Sequence, residues 1–292
     1  MALMRIKVVP RVKSSFYKDD LAHFFMILEW LQNIDWVVVT LLLVSGVVVG
    51  IINTLGGGGS VITMALYMAM GIPVAVANGT NRIAVVMQNF SATIAFMRKS
   101  MVDIKNSVLL GLPTIFGTIA GSLCAIDVSE STFKVCLSLV LAIILIYLIL
   151  DRDKVSTPEG HRLKIKWWHY PIFFLVGFYG GYIYIGLGFL ILAVTIWTMK
   201  LDIVTANVLK GCVIFISTPF ALAVFMYKGQ VDYDAGLIHG IGNILGAVLA
   251  SHWAANWGVK FVKWFTLFII VVSFVDLVGL ISLQDLMQPL LN

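Results

Sequence analysis

The chain has 292 residues, 60% of them hydrophobic and 12% charged, with a mean hydropathy of +0.98. A soluble domain carries roughly 25% charged residues, so this composition excludes one and defines an integral membrane protein. The net charge of +5 is scattered over short connections without interleaved aromatics, which argues against a nucleic-acid partner.

Residues 1–34 begin with Arg5, Lys7, Arg11, Lys13 and Lys18 and continue with Leu21, Phe24, Phe25, Leu28 and Leu31 on one helical face. This pattern predicts a basic arm and an interfacial amphipathic helix rather than a cleavable signal peptide. Apolar runs follow at 35–55, 58–72, 77–97, 106–125 and 132–150, which we group as a first membrane repeat over 35–150. A polar linker at 151–169 leads to a second repeat over 170–284, with runs at 170–185, 187–199, 203–226, 235–254 and 261–281. A spanning helix needs about 20 apolar residues, and the runs at 58–72 and 187–199 are too short. The fold class is all-α: a polytopic membrane protein with helices broken at glycine-rich points.

The first break is the stretch NTLGGGGS, with Gly56, Gly57, Gly58 and Gly59 inside an apolar region; Gly186 and Gly188 mark the second. Glycine weakens a helix by roughly 1 kcal/mol relative to alanine, and a break in lipid frees amides that hydrocarbon cannot satisfy. The breaks are therefore sites where the chain re-enters and offers backbone donors.

Basic residues cluster in the amino-terminal arm, at 98–105 (Arg98, Lys99, Lys105) and in 151–169. The positive-inside rule assigns all three segments to the cytoplasm. Counting 35–72 as one broken traverse, and 170–199 likewise, satisfies that assignment with eight crossings of a bacterial inner membrane. An even number per half makes the repeats parallel. Lys260 and Lys263 disagree, because this count starts the last span from outside.

Sliding the chain by 129 residues aligns the halves without a gap from Gly57 and Gly186 to Ser122 and Ser251, with 16 of 66 positions identical. The identities include Asn78 with Asn207, Lys99 with Lys228, and Gly117 with Gly246. They fall on turns and small residues as well as on aliphatics, so we read a duplication. Paired interrupted helices point to a transport site between repeats.

Each short run is followed by a polar cluster. Asn78, Arg82 and Asn89, with Asn81 and Gln88, form a helical stripe, with Thr80 beside it; Asn207, Lys210, Ser217 and Thr218 repeat it in the second half. Asn243 on the penultimate span joins the candidate lining, while its neighbours His239 and His252 fit a structural role better than proton handling. This donor-rich, carboxylate-free chemistry suits a small anion: Arg supplies a fork, Lys a point charge, and the amides and hydroxyls neutral bonds. Bland alternatives stand beside it, with the cations snorkelling to headgroups and the amides fastening helices. Cys124, Cys136 and Cys212 lie in apolar runs without metal spacing. No metal, cofactor or nucleotide site is expected.

The segments LGGGGSVITMAL, GIPVAVANGTNR and FSATIAFMRKSMVD, with ANVLK, FALAVFMYKGQVDY and GIGNILGAVLAS in the second half, resemble the sulfite exporter TauE/SafE family over residues 36–281. The resemblance implies a duplicated carrier of about eight spans that moves sulfite, sulfoacetate or other small organic anions. It places Thr80, Asn81 and Arg82 at the family's Thr-Asn-Lys/Arg positions, and Asn207 and Lys210 near its Ala-Asn-…-Lys segment. The expected partners are a small oxyanion or organosulfonate and the lipid bilayer, with a homo-oligomeric assembly left open. Arg82 and Lys210 are expected to neutralise the substrate. The rival functions are an anion channel with the same lining and a membrane-embedded lipid-modifying enzyme, whose catalytic cluster the sequence lacks.

Overall fold

A computed structural model describes residues 35–126 and 165–252, together with positions 132, 135, 139, 268 and 271. The interfacial helix expected over 1–34 and most of the linker at 151–169 lie outside the described residues. In chain order, the helices are α1 (Trp36–Leu55), α2 (Ser60–Ala69), α3 (Val74–Arg98), α4 (Ile104–Ala125), α5 (His169–Tyr182), α6 (Leu187–Met199), α7 (Ile203–Tyr227) and α8 (Tyr233–His252). Trp36–Leu55, Ile104–Ala125, Val204–Tyr227 and Tyr233–His252 are long and apolar enough to cross a membrane.

Local chemistry sets the helix starts. Asp35 accepts from the Val37 and Val38 amides, Asp103 from Asn106, and Asp202 from Val204 and Thr205, so each carboxylate occupies the positive end of a helix. All five carboxylates among the described residues lie at or just before helix starts. The lipid-facing and inward faces separate cleanly on α8. Leu237, Ile241 and Leu245 are exposed at a spacing of four, whereas His239, Asn243 and Ala247 are buried behind them. Apolar residues outside and polar ones inside is the ordering hydrocarbon demands.

Close backbone contacts fix the direction of each helix. A Cβ on Gly46 would lie 2.5 Å from the His239 carbonyl oxygen, and one on Gly50 would lie 2.4 Å from that of Asn243, so α1 runs parallel to α8. α3 does the same: Gly236 packs on Thr80 and Ile83, Gly240 on Ala84 and Met87, and Lys99 Nζ donates to the Ser251 carbonyl at 2.8 Å. On the other side of the bundle, Gly117 and Gly121 of α4 press on Phe174 and Phe178 of α5, a parallel pair. Gly111 meets Ile216, and Gln230 Nε2 donates to the Ile126 carbonyl, so α7 runs with α4. α3 opposes α7, because Gly79 packs on Phe225 and Gln230. Small residues allow these approaches, as is usual between helices in lipid.

The two short helices double back. Thr63 of α2 meets His239 at 3.0 Å and Tyr67 reaches the Ala235 carbonyl, so α2 runs antiparallel to α8 and therefore to α1. α6 leaves the end of α5, where Leu187 packs on Gly180, and delivers the chain to α7 at the end where α5 began. Among the described residues, each broken pair is thus a re-entrant hairpin and not the single broken traverse expected from the sequence.

The hairpins enter from opposite ends. Helices α1, α3 and α8 run one way, and α5, α7 and α4, their equivalents at the 129-residue offset, run the other. The described helices of the two halves are therefore inverted relative to one another and not parallel as expected from the sequence. Asp35 lies at the end of Ile126 and Asp232, while Lys99, Lys166 and Lys200 lie at the opposite end; the basic arm at 1–34 and residues 151–164, on which the expected sidedness also rests, lie outside the described residues.

Candidate functional site

The long limbs of the hairpins end beside one another in the interior. A Cβ on Gly57, at φ +113°, would lie 3.0 Å from Gly188 Cα, so the two breaks touch through their backbones. Only glycine fits there, both for the left-handed dihedral and for the contact. Tyr184, at φ +68°, is a non-glycine residue held in the same unfavoured region.

The two buried cations reach across the repeats to the carboxyl ends of these limbs. Arg82 of α3 is fully buried; Nη1 donates to the Gly180 carbonyl at 2.6 Å, and Nη2 donates to that of Gly181 and to Asn78 Oδ1, both at 3.0 Å. Asn78 Nδ2 adds a bond to the Tyr182 carbonyl at 3.0 Å. In the other direction, Lys210 Nζ of α7 donates to the Asn53 carbonyl at 2.9 Å and to Asn207 Oδ1 at 2.6 Å, while Asn207 Nδ2 donates to that of Leu55 at 2.7 Å. Each repeat therefore uses an asparagine and a cation one helical turn later to satisfy the last carbonyls of the other's broken helix. Those carbonyls form the negative end of a helix dipole and have no intrahelical partner. The arrangement compensates the charge where none of the described carboxylates approaches. The Arg82 guanidinium also lies over the Tyr184 ring, 4.7 Å from its centroid, a favourable cation–π geometry.

A small cleft opens where the breaks meet. The first repeat contributes Asn53, Gly57, Gly58, Ser60, Gln88 and Asn89, and the second contributes Tyr184, Gly186, Gly188 and Ile214. Its free volume is ≈ 10 Å³, room for about one water. Asn53 Nδ2 donates to Gln88 Oε1 at 3.2 Å, and Gln88 Nε2 lies 3.5 Å from Thr54 Oγ1. Asn89 Nδ2 donates to its own helix at Val85, and its side chain is also hydrogen-bonded with Tyr184.

The residues singled out from sequence divide by this geometry. Gln88, Asn89, Gly57, Gly58, Gly186 and Gly188 line the cleft. Asn78, Arg82, Asn207 and Lys210 form the crossed caps outside it. Thr80 accepts from the Asp232 amide at 2.8 Å and ties α3 to the start of α8. Ser217 bonds back to Val213 within α7. Asn81, Thr218 and Asn243 are buried, each with one polar atom lacking a hydrogen-bond partner among the described residues. Gly56 and Gly59 complete the turn, Gly59 packing against Asn53 Oδ1. Neither cation points outward to headgroups. His239 bridges Thr63 and the Leu42 carbonyl, as a structural residue does.

Sequence reading passed over Asn53, Ser60 and Tyr184. All three flank a break directly, in NTLGGGGS and GGYIYIG. A polar residue beside a helix interruption was the available signal.

An all-helical bundle with lipid-facing apolar stripes, two crossed re-entrant hairpins and a polar cleft between inverted halves defines a polytopic membrane transporter. The sequence profile of the family described as sulfite exporter TauE/SafE matches residues 42–277, and the chain belongs to that family. It is similar to the probable membrane transporter protein ORF9 of Sinorhizobium sp., with 27% identity across 80% of this chain and 89% of the relative. The probable membrane transporter proteins of Haemophilus influenzae (24%; 75% and 86%) and Escherichia coli K12, there called YfcA (27%; 73% and 80%), are also similar. No solved structure matches.

Proposed function

We propose that this protein is a secondary transporter of a small anion, sulfite or an organosulfonate, in the bacterial inner membrane. The observation that carries the proposal is the meeting of the two breaks: hairpins from opposite ends of the bundle share one cleft lined by neutral hydrogen-bonding groups. Two buried cations stand just behind it. The lining is rich in hydrogen-bond donors and no described carboxylate lines it, which favours an anion over a cation or an apolar solute.

Alternating access follows from the inverted halves. Each hairpin blocks the path from one end, and small rocking of one repeat against the other exposes the cleft to each side in turn. With room for about one water, the cleft must widen to admit an oxyanion. The crossed caps keep each broken helix intact during that motion. By the positive-inside rule, the end bearing Arg98, Lys99, Lys105, Lys166 and Lys200 faces the cytoplasm. Export is the direction implied by the family.

Counterflow of labelled sulfite in proteoliposomes tests this reading. A carrier accelerates uptake when unlabelled sulfite is present inside; flux without that acceleration identifies a channel, and absence of saturable flux removes the proposal.

A further inference from the structure

Resting on that reading, we infer that the anion is seated by one repeat only, at the amino terminus of α2, with Ser60 as a direct donor. Ser60 is the first residue of a ten-residue half-helix whose cap, Gly59, supplies no side-chain bond. Ser60 is 2% exposed and lines the cleft, and its hydroxyl has no hydrogen-bond partner among the described residues. A buried hydroxyl without a partner is unfavourable in the empty protein and is relieved when an acceptor arrives. The amino end of α2 brings a positive partial charge to the same spot.

The surrounding wall fits an oxyanion head group bearing acceptors only. Asn53 and Gln88 place carboxamides beside Ser60, and the Lys210 ammonium is held on the Asn53 carbonyl, so positive charge stands behind the wall without needing to touch the ligand. Arg82 and Lys210 are then positioning residues: they fix the ends of the broken helices, and the helix end with its hydroxyl does the binding.

The second repeat carries no equivalent seat. At the 129-residue offset, Ser60 corresponds to Phe189, Gln88 to Ser217 and Asn89 to Thr218. Phe189 is buried, and its ring occupies the space a Cβ on Gly58 would need, 2.2 Å from the nearest ring carbon. The duplicated backbone therefore presents two half-helix amino ends, but only α2 bears a hydroxyl at this position; α6 carries Phe189 instead, whose ring packs against Gly58. A single asymmetric seat lets one anion be passed between the two faces without a second site to retain it.

The test is binding of sulfite and methanesulfonate to the detergent-purified full chain, followed by thermal shift and calorimetry, with acetate and chloride for comparison. Loss of one hydrogen bond to a charged ligand predicts that Ser60→Ala weakens sulfite binding by about tenfold or more. The ligand-free Ser60→Ala protein should melt at or above the wild-type temperature, which a structural hydroxyl would not allow. Thr93→Val, at another buried hydroxyl outside the cleft lining, should leave affinity within about twofold. Wild-type affinity in Ser60→Ala, or a lowered melting temperature without ligand, overturns the seat. Binding that needs Ser60 but produces no flux leaves the seat standing and removes the transport reading; no binding of any probe by the wild type removes both.

Discussion

Asn78 and Asn207, identical residues 129 positions apart, make the same contact in opposite directions: each donates its side-chain amide to a carbonyl at the end of the other repeat's broken helix, at 3.0 and 2.7 Å. Each also accepts from a cation on its own helix, Arg82 or Lys210. The cations themselves are not aligned: Arg82 follows its asparagine by four residues and Lys210 by three. A longer, forked side chain and a shorter spacing solve the same capping problem.

Removing a cap should therefore show first in stability. Arg82→Ala leaves the Gly180 carbonyl and Asn78 Oδ1 without their donor, and the Gly181 carbonyl with only the 3.3 Å bond from Ser122, in a fully buried site, a loss on the order of 3 kcal/mol. Melting of the detergent-solubilised protein should fall clearly, with uptake falling alongside, and Arg82→Lys should recover part of it. A wild-type melting temperature in Arg82→Ala would contradict the capping role.

Gly57→Ala and Gly71→Ala separate strain from collision. Both residues have positive φ, +113° and +82°, but a Cβ on Gly57 would strike Gly188 whereas one on Gly71 meets nothing within 4 Å. The strain alone costs about 1 kcal/mol, so Gly71→Ala should fold and transport with modest loss. Gly57→Ala should lose most flux as well as folded yield. Equal behaviour of the two variants in flux assays and size-exclusion profiles would count against contact between the breaks.

The hairpin α1–α2 is tied to α8 through His239. Thr63→Val keeps the shape of the side chain but removes the partner of His239 Nε2, 3.0 Å away in a buried site. The expected destabilisation is about 1–2 kcal/mol, measured as a shift in melting temperature. An unchanged value would mean that water replaces the hydroxyl.

Inverted repeats make a labelling prediction. In a background with the native cysteines replaced by alanine, Lys228→Cys and Lys105→Cys occupy opposite ends of the bundle. An impermeant maleimide added to intact spheroplasts should label the first and reach the second only after permeabilisation. Labelling of both from the same side would eliminate the inverted arrangement.

Much of this architecture is written along the chain. Composition places it in lipid, the glycine runs mark both breaks, and the 129-residue repeat is visible because duplication leaves identities at turns and tight helix contacts, such as Gly117 and Gly246. The inward stripe of α3 is equally plain, since polar groups in hydrocarbon must face protein. Membership of the TauE/SafE family follows from the same segments.

Direction and partnership are different, because they depend on which surfaces meet. A glycine break reads identically whether the chain continues across the bilayer or turns back, and only the contacts of Thr63 and Tyr67 with α8 distinguish the two. Turning back sets the described helices of the two halves in opposite directions and brings the end of α8 to Lys99, eight residues before Lys260. Likewise, a cation in an apolar run announces that something must compensate it, but the compensating groups are backbone carbonyls about 100 residues away for Arg82 and more than 150 for Lys210. Carbonyls have no letter in the sequence, so folding alone could set the charges behind the cleft as caps and leave Ser60 facing into it.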